Sequence, residues 1–325
     1  MIFNYQKICQ SILKALPGRQ KEVISRRFGL ESGNRETLEA IGKSFAVTRE
    51  RVRQIEEDAI SKLKPKTKDH QKVFQYFTDH LKTFGELKKE DILLSQLAGQ
   101  KSAPQVYFLL TLGDPFERFS ETEKLHSLWT INQKSVDLAQ KVIDSFYNKL
   151  KEAGKPLTLN EHKHFAKNSL APKALESYLE VSKVIQKNQE GLFGLRDWPE
   201  INPRGIKDKA YLVFKKKNNP LHFREVAEFI GPKALSQTVH NELIRDPRFV
   251  LVGRGTYALR DWGYEQGVVK DVIKNILKEA KNPLTKEEVL EKVLQQRMVK
   301  ENTILLNLQN KRYFKKNSEG KYHLS

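Results

Sequence analysis

The sequence predicts a mainly α-helical protein with small β-hairpin wings, in which an N-terminal helix-turn-helix domain is followed by tandem winged-helix modules. Two short helical patterns separated by a tight turn lie between residues 37 and 63. The motif LRDW occurs at 195–198 and again at 259–262, each time after an apolar run with a glycine turn. Because these hairpin signals recur, they disfavour the alternative of an all-helical solenoid.

The composition favours several folded domains in a reducing compartment. A chain of 325 residues is long for one core, and 17 Phe, 10 Tyr and 3 Trp supply apolar mass despite a mean hydropathy of −0.61. No apolar run approaches the roughly 18 residues that a membrane span requires, and the N-terminus lacks a signal-peptide cleavage site. Cys9 is the single cysteine, which excludes an internal disulfide and a CxxC zinc site. We therefore expect a cytoplasmic, nucleoid-associated protein.

The charge distribution points to a polyanionic partner. The chain carries 58 Lys and Arg against 40 Asp and Glu, a net charge of +18. With the module boundaries predicted below, the net charges are +7 for 1–68, −2 for 69–133, +2 for 134–202, +5 for 203–266 and +6 for 267–325. A generally basic proteome is the alternative explanation, but it would not concentrate the excess at the two ends.

The stretch TRERVRQIE at 48–56 opens the longer N-terminal helical pattern. At 100° per residue, one narrow stripe holds the apolar residues, Val52, Ile55, Ala59 and Leu63. The polar residues face away from that stripe: Glu50, Gln54 and Glu57, with Arg51 and Arg53 at the flanks. Thr48 is predicted as the N-cap, which places Arg49 in the first turn. This pattern is typical of a recognition helix, and equally of a solvated helix with Arg–Glu pairs at i, i+4.

A shorter helix, TLEAIGKSF, precedes this one and places Leu38, Ile41 and Phe45 inward. The turn between the two helices falls at Ala46 and Val47. A left-handed residue at this turn costs an alanine roughly 1–2 kcal/mol, so we expect the turn to be built differently here. The two helices together predict a helix-turn-helix.

The rest of the chain contains a repeat of 60–70 residues. Pro-Leu-Thr or Pro-Leu-His starts recur in GKPLT (154–158), NNPLH (218–222) and KNPLT (281–285). Thr or His can cap the second helix of each copy, a third helix follows, and a hairpin such as RFVLVGRGTYALRDW closes the copy. Trp129, Trp198 and Trp262 end the second wing strands and are predicted to fill the core. The predicted modules are a helix-turn-helix (1–68), a diverged winged helix (69–133) and three further winged helices (134–202, 203–266, 267–325).

A second set of candidate DNA contacts lies in the module at 203–266. The exposed face of its third helix is predicted to hold Gln237, His240, Asn241 and Arg245, and its wing turn holds Arg254. Simple solvent exposure is the alternative for all five, and Lys215–Lys217 is either a phosphate-facing run or a solvated linker. The acidic wing turns QEG (189–191) and SEG (318–320) favour protein contacts in the neighbouring modules.

Residues 16–64, LPGRQKEVISRRFGLESGNRETLEAIGKSFAVTRERVRQIEEDAISKLK, closely resemble region 4 of primary bacterial sigma factors. The resemblance implies double-stranded DNA and the flap of core RNA polymerase as partners. It also implies that Arg49, Glu50, Arg53 and Gln54 contact base edges of a −35-type element, while Thr48 and Arg51 hold the phosphate backbone. Arg is suited to guanine, Gln to adenine and Glu to cytosine N4. Since the sigma regions that bind the clamp and melt the −10 element do not fit before residue 16, we do not expect a complete sigma factor.

Residues 210–262 resemble the HARE-type winged helix found in the RNA polymerase delta subunit. PLHFREVAEFI and DPRFVLVGRGTYAL carry this resemblance, and the modules on either side look like diverged relatives.

The sequence contains no P-loop, GxGxxG motif or catalytic triad, and His162–His164 is read as a surface segment without metal ligands around it. We therefore expect no enzymatic activity, cofactor, metal or small-molecule substrate. Two functions remain open. One is a sequence-specific transcription regulator. The other is an RNA polymerase-binding protein, delta-like or an anti-sigma decoy, for which DNA is secondary.

Overall fold

The computed structural model describes residues 3–99, 102–161, 170–280 and 282–325, and they form a mainly helical protein with small antiparallel sheets. The chain divides into two compact units, residues 1–197 and 198–325. Among the described residues, no helix combines the length and hydrophobicity that crossing a membrane demands.

The first unit begins with four helices: α1 (Tyr5–Leu13), α2 (Gly18–Phe28), α3 (Leu38–Ser44) and α4 (Arg49–Leu63). A 3-10 segment, Lys64–His70, continues α4. Asn4 caps α1 through its side chain, and Gly29 ends α2 in the left-handed conformation at φ 67°.

Two further groups of elements complete the first unit. The first group holds α5 (Gln71–Thr83), β1 (Leu87–Lys89), α6 (Glu90–Ala98), α7 (Ala103–Leu112), β2 (Glu117–Phe119) and β3 (Leu128–Thr130). The second holds α8 (Gln133–Ala153), α9 (Pro172–Glu180), β4 (Ile185–Lys187) and β5 (Phe193–Leu195). The sheets have the order β1-β3-β2 and β4-β5. Helix α9 packs on β1, where Lys88 Nζ lies 2.6 Å from the Glu180 carboxylate.

The second unit contains two groups of three helices with a hairpin. The first group is α10 (Gly205–Lys217), β6 (Leu221–His222), α11 (Phe223–Ile230), α12 (Ser236–Arg245), β7 (Phe249–Gly253) and β8 (Thr256–Leu259). The second is α13 (Val269–Glu279), α14 (Lys286–Gln296), α15 (Glu301–Leu308), β9 (Phe314–Lys316) and β10 (Tyr322–Leu324). The first sheet has the order β6-β8-β7, and β9 pairs with β10.

The repeated Pro-Leu motif has a structural role in three groups. Its leucine pairs with the second strand of the hairpin: Leu157 with Phe193, Leu221 with Tyr257 and Leu284 with Tyr322. In two of the groups, the residue after the leucine caps the next helix. His222 Nδ1 accepts a hydrogen bond from the Arg224 amide at the start of α11, and Thr285 Oγ1 accepts one from the Glu288 amide at the start of α14. The predicted capping at these two starts is therefore confirmed.

The hydrophobic core of the first four helices continues into the next group of elements. Tyr5, Cys9 and Phe28 are buried in the same cluster as Phe108 and Trp129. The rings of Phe28 and Phe108 lie 5.1 Å apart, and Tyr5 donates a hydrogen bond to the Leu97 carbonyl at 3.0 Å. A shared core therefore crosses the predicted boundary at residue 68, and the division into five modules stays a prediction.

The three tryptophans are not equivalent. Trp129 is buried in the middle of β3, with 2% of its surface exposed. Trp198 and Trp262 are half-buried and follow the hairpin strands, and the Trp262 ring contacts Phe214 at 6.2 Å between centroids. The prediction of a core role is thus confirmed for Trp129, whereas Trp262 is only partly buried and packs against the edge of the core. His162–His164 lies outside the described residues.

Candidate nucleic-acid interface

The turn between α3 and α4 brings the two helices unusually close together. A Cβ atom on Gly42 would lie only 2.8 Å from the Val47 carbonyl oxygen, so only glycine allows this approach. Ala46 has φ 54°, in the left-handed region. The expectation of a differently built turn is therefore wrong, because the close packing of the helices holds an alanine in a conformation that usually favours glycine or asparagine.

Helix α4 is anchored by the predicted apolar stripe, since Val52, Ile55, Ala59 and Leu63 are all buried. Val52 and Ile55 pack with Val23 of α2 and Ile41 of α3 in one cluster. Thr48 is the N-cap, and its Oγ1 accepts a hydrogen bond from the Arg51 amide at 3.2 Å. The amphipathic pattern and the cap are therefore confirmed, and they fix the first turn of α4 at the surface.

The predicted DNA-contacting residues Thr48, Arg49, Glu50, Arg51, Arg53 and Gln54 are all solvent-exposed. Arg53 lies between two acids: it donates to Glu50 at 2.7 Å and to Glu57 one turn later. Arg51 donates to the Gln54 side-chain oxygen at 3.1 Å. Contacts between exposed charges contribute little to stability, so these side chains can exchange them for other partners at small cost.

The ion pair with Arg53 also favours the ionised form of Glu50. The hydrogen bond from the Arg53 guanidinium lowers the pKa of the Glu50 carboxyl below its ordinary value. As an exposed carboxyl, Glu50 is ionised at neutral pH and acts only as an acceptor, which is the property needed to bind a cytosine amino group.

A network that sequence reasoning missed supports the helices from behind. Arg26 in α2 makes two hydrogen bonds to Glu36, at 2.9 and 2.7 Å, and donates to Ser44 at the end of α3 at 2.7 Å. Its guanidinium also lies 5.6 Å from the centre of the Phe45 ring. The network ties α2 to the start and the end of α3. No sequence signal marks it, because Arg26 and Glu36 belong to no repeated spacing.

The second set of candidate residues is brought together only in part. Gln237 and Asn241 are exposed on α12 and share a 3.3 Å hydrogen bond, while Arg245 is exposed at its end and Arg254 at the β7–β8 turn. His240 is instead half-buried, with its ring stacked on Phe223 at a centroid distance of 4.4 Å. The prediction that His240 lies on the exposed face is therefore wrong, because the ring packs against α11.

The lysines at the end of α10 are exposed, and two of them lie over aromatic rings. Lys215 Nζ is 5.4 Å from the centre of the Tyr211 ring, and Lys217 Nζ is 3.8 Å from that of Phe229. Across the described part of the chain, no three His, Cys, Asp or Glu side chains come together as metal ligands.

Comparison with known proteins identifies the N-terminal domain. The model of the family described as Sigma-70, region 4 matches residues 12–65. RNA polymerase sigma factor SigA of Lactococcus lactis subsp. cremoris is 51% identical over 53 residues, which are 16% of this chain and 15% of that protein. The family match covers α3, α4, the turn between them and the exposed residues of α4. Residues 12–65 therefore form a Sigma-70 region 4 domain.

Proposed function

We propose that the protein is a non-enzymatic transcription regulator whose region 4 domain reads a −35-type promoter element and associates with RNA polymerase. The observation that carries this proposal is the exposed first turn and a half of α4, held outward by a buried aliphatic stripe on the other side of the same helix. A helix presented in this way can enter the major groove with its N-terminal residues toward the bases.

The side chains of α4 divide between reading bases and holding the backbone. Arg49 and Arg53 offer paired donors for guanine, Gln54 can pair with adenine, and the ionised Glu50 can accept from cytosine. Thr48 and Arg51, at the edge of the helix, contact phosphates. When DNA binds, Glu50 exchanges its ion pair with Arg53 for a hydrogen bond from the cytosine, and Glu57 keeps the Arg53 guanidinium oriented.

We further propose that the groups of three helices with a hairpin are winged helices, with a HARE-type module at residues 203–266. The sheet order β6-β8-β7 and the recurrent leucine bridges support this assignment. In that module, Gln237, Asn241, Arg245 and Arg254 extend the DNA footprint, and His240 supports α12 from within. The sigma factor relative supports RNA polymerase as the protein partner, and we propose the flap of the core enzyme as the contact.

The test uses the full chain and selection from a random duplex library at fixed salt. Wild-type protein should enrich a −35-like motif. Arg49→Ala should lower the preference for that motif over scrambled duplex roughly 5- to 150-fold, the equivalent of a lost base contact. Lys66→Ala is the matched control, because it removes an equally exposed charge beyond α4 and should weaken both duplexes alike.

A library without any enriched motif would end the proposal of sequence reading. Capture of core polymerase by both wild-type and Arg49→Ala protein in that case would establish the alternative, a polymerase-binding protein for which DNA is secondary.

A further inference from the structure

A dense group of cations lies at the start of the last hairpin. Four of the six residues at 311–316 are basic, namely Lys311, Arg312, Lys315 and Lys316, and all four are exposed. Phe314, between them, is 2% exposed and anchors the strand in the core. We refer to the four residues as the C-terminal cationic patch.

The backbone beneath this patch is fixed by hydrogen bonds. The Asn310 side chain accepts from the Arg312 amide at 3.2 Å, and its carbonyl accepts from the Tyr313 amide at 3.0 Å. The Ser325 amide donates to the Tyr313 carbonyl at 3.0 Å, which ties the end of the chain to the same turn. The cations therefore project from an ordered turn and strand.

Aromatic rings, rather than carboxylates, contact two of the four patch residues, Arg312 and Lys316. Tyr313 has Lys270 Nζ 4.7 Å and Arg312 Cζ 5.7 Å from its ring centre, and Lys316 Nζ lies 4.9 Å from that of Tyr322. None of the four patch residues forms an ion pair with any residue that the structure describes, whereas nearby Lys321 pairs with Glu319 at 2.9 Å. A cation held over a ring keeps its N–H donors available for an external anion.

We propose that the C-terminal cationic patch binds the phosphate backbone of duplex DNA without sequence preference. Unpaired cations repel one another, and a polyanion relieves this repulsion while releasing its own counterions. The acidic turn at 318–320 predicts protein contact for this module, whereas the cationic patch predicts contact with DNA.

The test measures binding of the full chain to random-sequence duplex over a series of salt concentrations, so that it does not depend on sequence reading by α4. The patch variant replaces Lys311, Arg312, Lys315 and Lys316 with Gln. The slope of log K against log salt should become shallower by about 3 to 4, because each released phosphate contact contributes about 0.9. The variants Lys311→Gln/Arg312→Gln and Lys315→Gln/Lys316→Gln should each account for about half of the change.

The matched control replaces Lys278, Lys286, Lys292 and Lys300 with Gln, which removes the same charge from exposed positions of the same module. This variant should keep the wild-type slope. Equal effects of the two quadruple variants would mean that only net charge matters, and an unchanged slope in the patch variant would remove the patch from the interface. Polyglutamate serves as a second probe. A patch variant that loses binding to polyglutamate but keeps binding to duplex would indicate an acidic protein partner instead of DNA. Thermal unfolding checks the fold of each variant, and the two double variants provide the test should the quadruple variant unfold.

Discussion

Arg53 forms ion pairs on the surface of α4 and is also a proposed DNA contact. Without DNA, it is held by Glu50 and Glu57, which are 59% and 61% exposed as side chains. Neither acid is desolvated, so exchange of Glu50 for a base costs little. The predicted alternative of Arg–Glu pairing is therefore present in the structure, and it is compatible with a role in DNA recognition because the pairs keep the guanidinium on the outer face of the helix.

Ala46 gives a prediction about stability. Ala46→Gly should remove a left-handed strain of roughly 1–2 kcal/mol. Because the unfolded chain becomes more flexible, the variant should also lose roughly 0.4–1 kcal/mol, which leaves a net gain of about 0.8 kcal/mol at the middle of a range of about 0–1.6 kcal/mol. Slower hydrogen exchange of the α4 amides would report the gain. Ala40→Gly is the control: it makes the same change at a right-handed position inside α3 and should destabilise the domain by about 1 kcal/mol. Destabilisation by both changes would show that Ala46 is unstrained.

At the scale of elements, the N-terminal helices follow from local signals, and the packing of one element on another does not. The sequence predicts Thr48 as the N-cap and the buried stripe from Val52 to Leu63, because capping and a 3.6-residue period act within one helix. Burial of His240 depends on Phe223 from another helix, and β1 has Leu87 where the other copies carry a Pro-Leu motif. Such contacts join residues of different elements, which share no periodic spacing. They therefore cannot be predicted from the pattern of a single sequence.

The close approach of α3 and α4 leads to a second prediction. Gly42→Ala places a Cβ 2.8 Å from the Val47 carbonyl oxygen. Because this oxygen belongs to the backbone and cannot rotate away like a flexible side chain, the turn itself must open. We expect a loss of about 1–3 kcal/mol in unfolding free energy and weaker duplex binding, measured by urea unfolding and by titration. Gly18→Ala is the control, since its Cβ meets no atom within 4 Å. Equal stability of the two variants would contradict a packing role for Gly42.

At the scale of the whole first unit, the region 4 domain is attached by a shared core rather than by a flexible linker. Gln105 of α7 donates to the Leu30 carbonyl at 2.8 Å, and the Arg35 guanidinium lies 3.4 Å from the centre of the Tyr107 ring. Cys9 is buried against the Gln105 carbonyl, and burial raises the pKa of its thiol to about 12, so the thiol stays protonated and packs as an apolar group. The orientation of α4 is consequently fixed relative to α7.

This shared core predicts that the domain depends on its neighbour for stability. A fragment of residues 1–70 exposes Tyr5, Cys9 and Phe28, which are buried in the full chain. Since exposing a large apolar side chain such as that of Phe28 costs roughly 1.5–3 kcal/mol, the fragment should unfold at a much lower temperature than a fragment of residues 1–197. Circular dichroism melting of the two fragments measures the difference, and random-duplex binding should fall with it. A fragment of 1–70 that melts cooperatively at the temperature of 1–197 would show that the region 4 domain is autonomous and that its contacts with α7 contribute nothing to its stability.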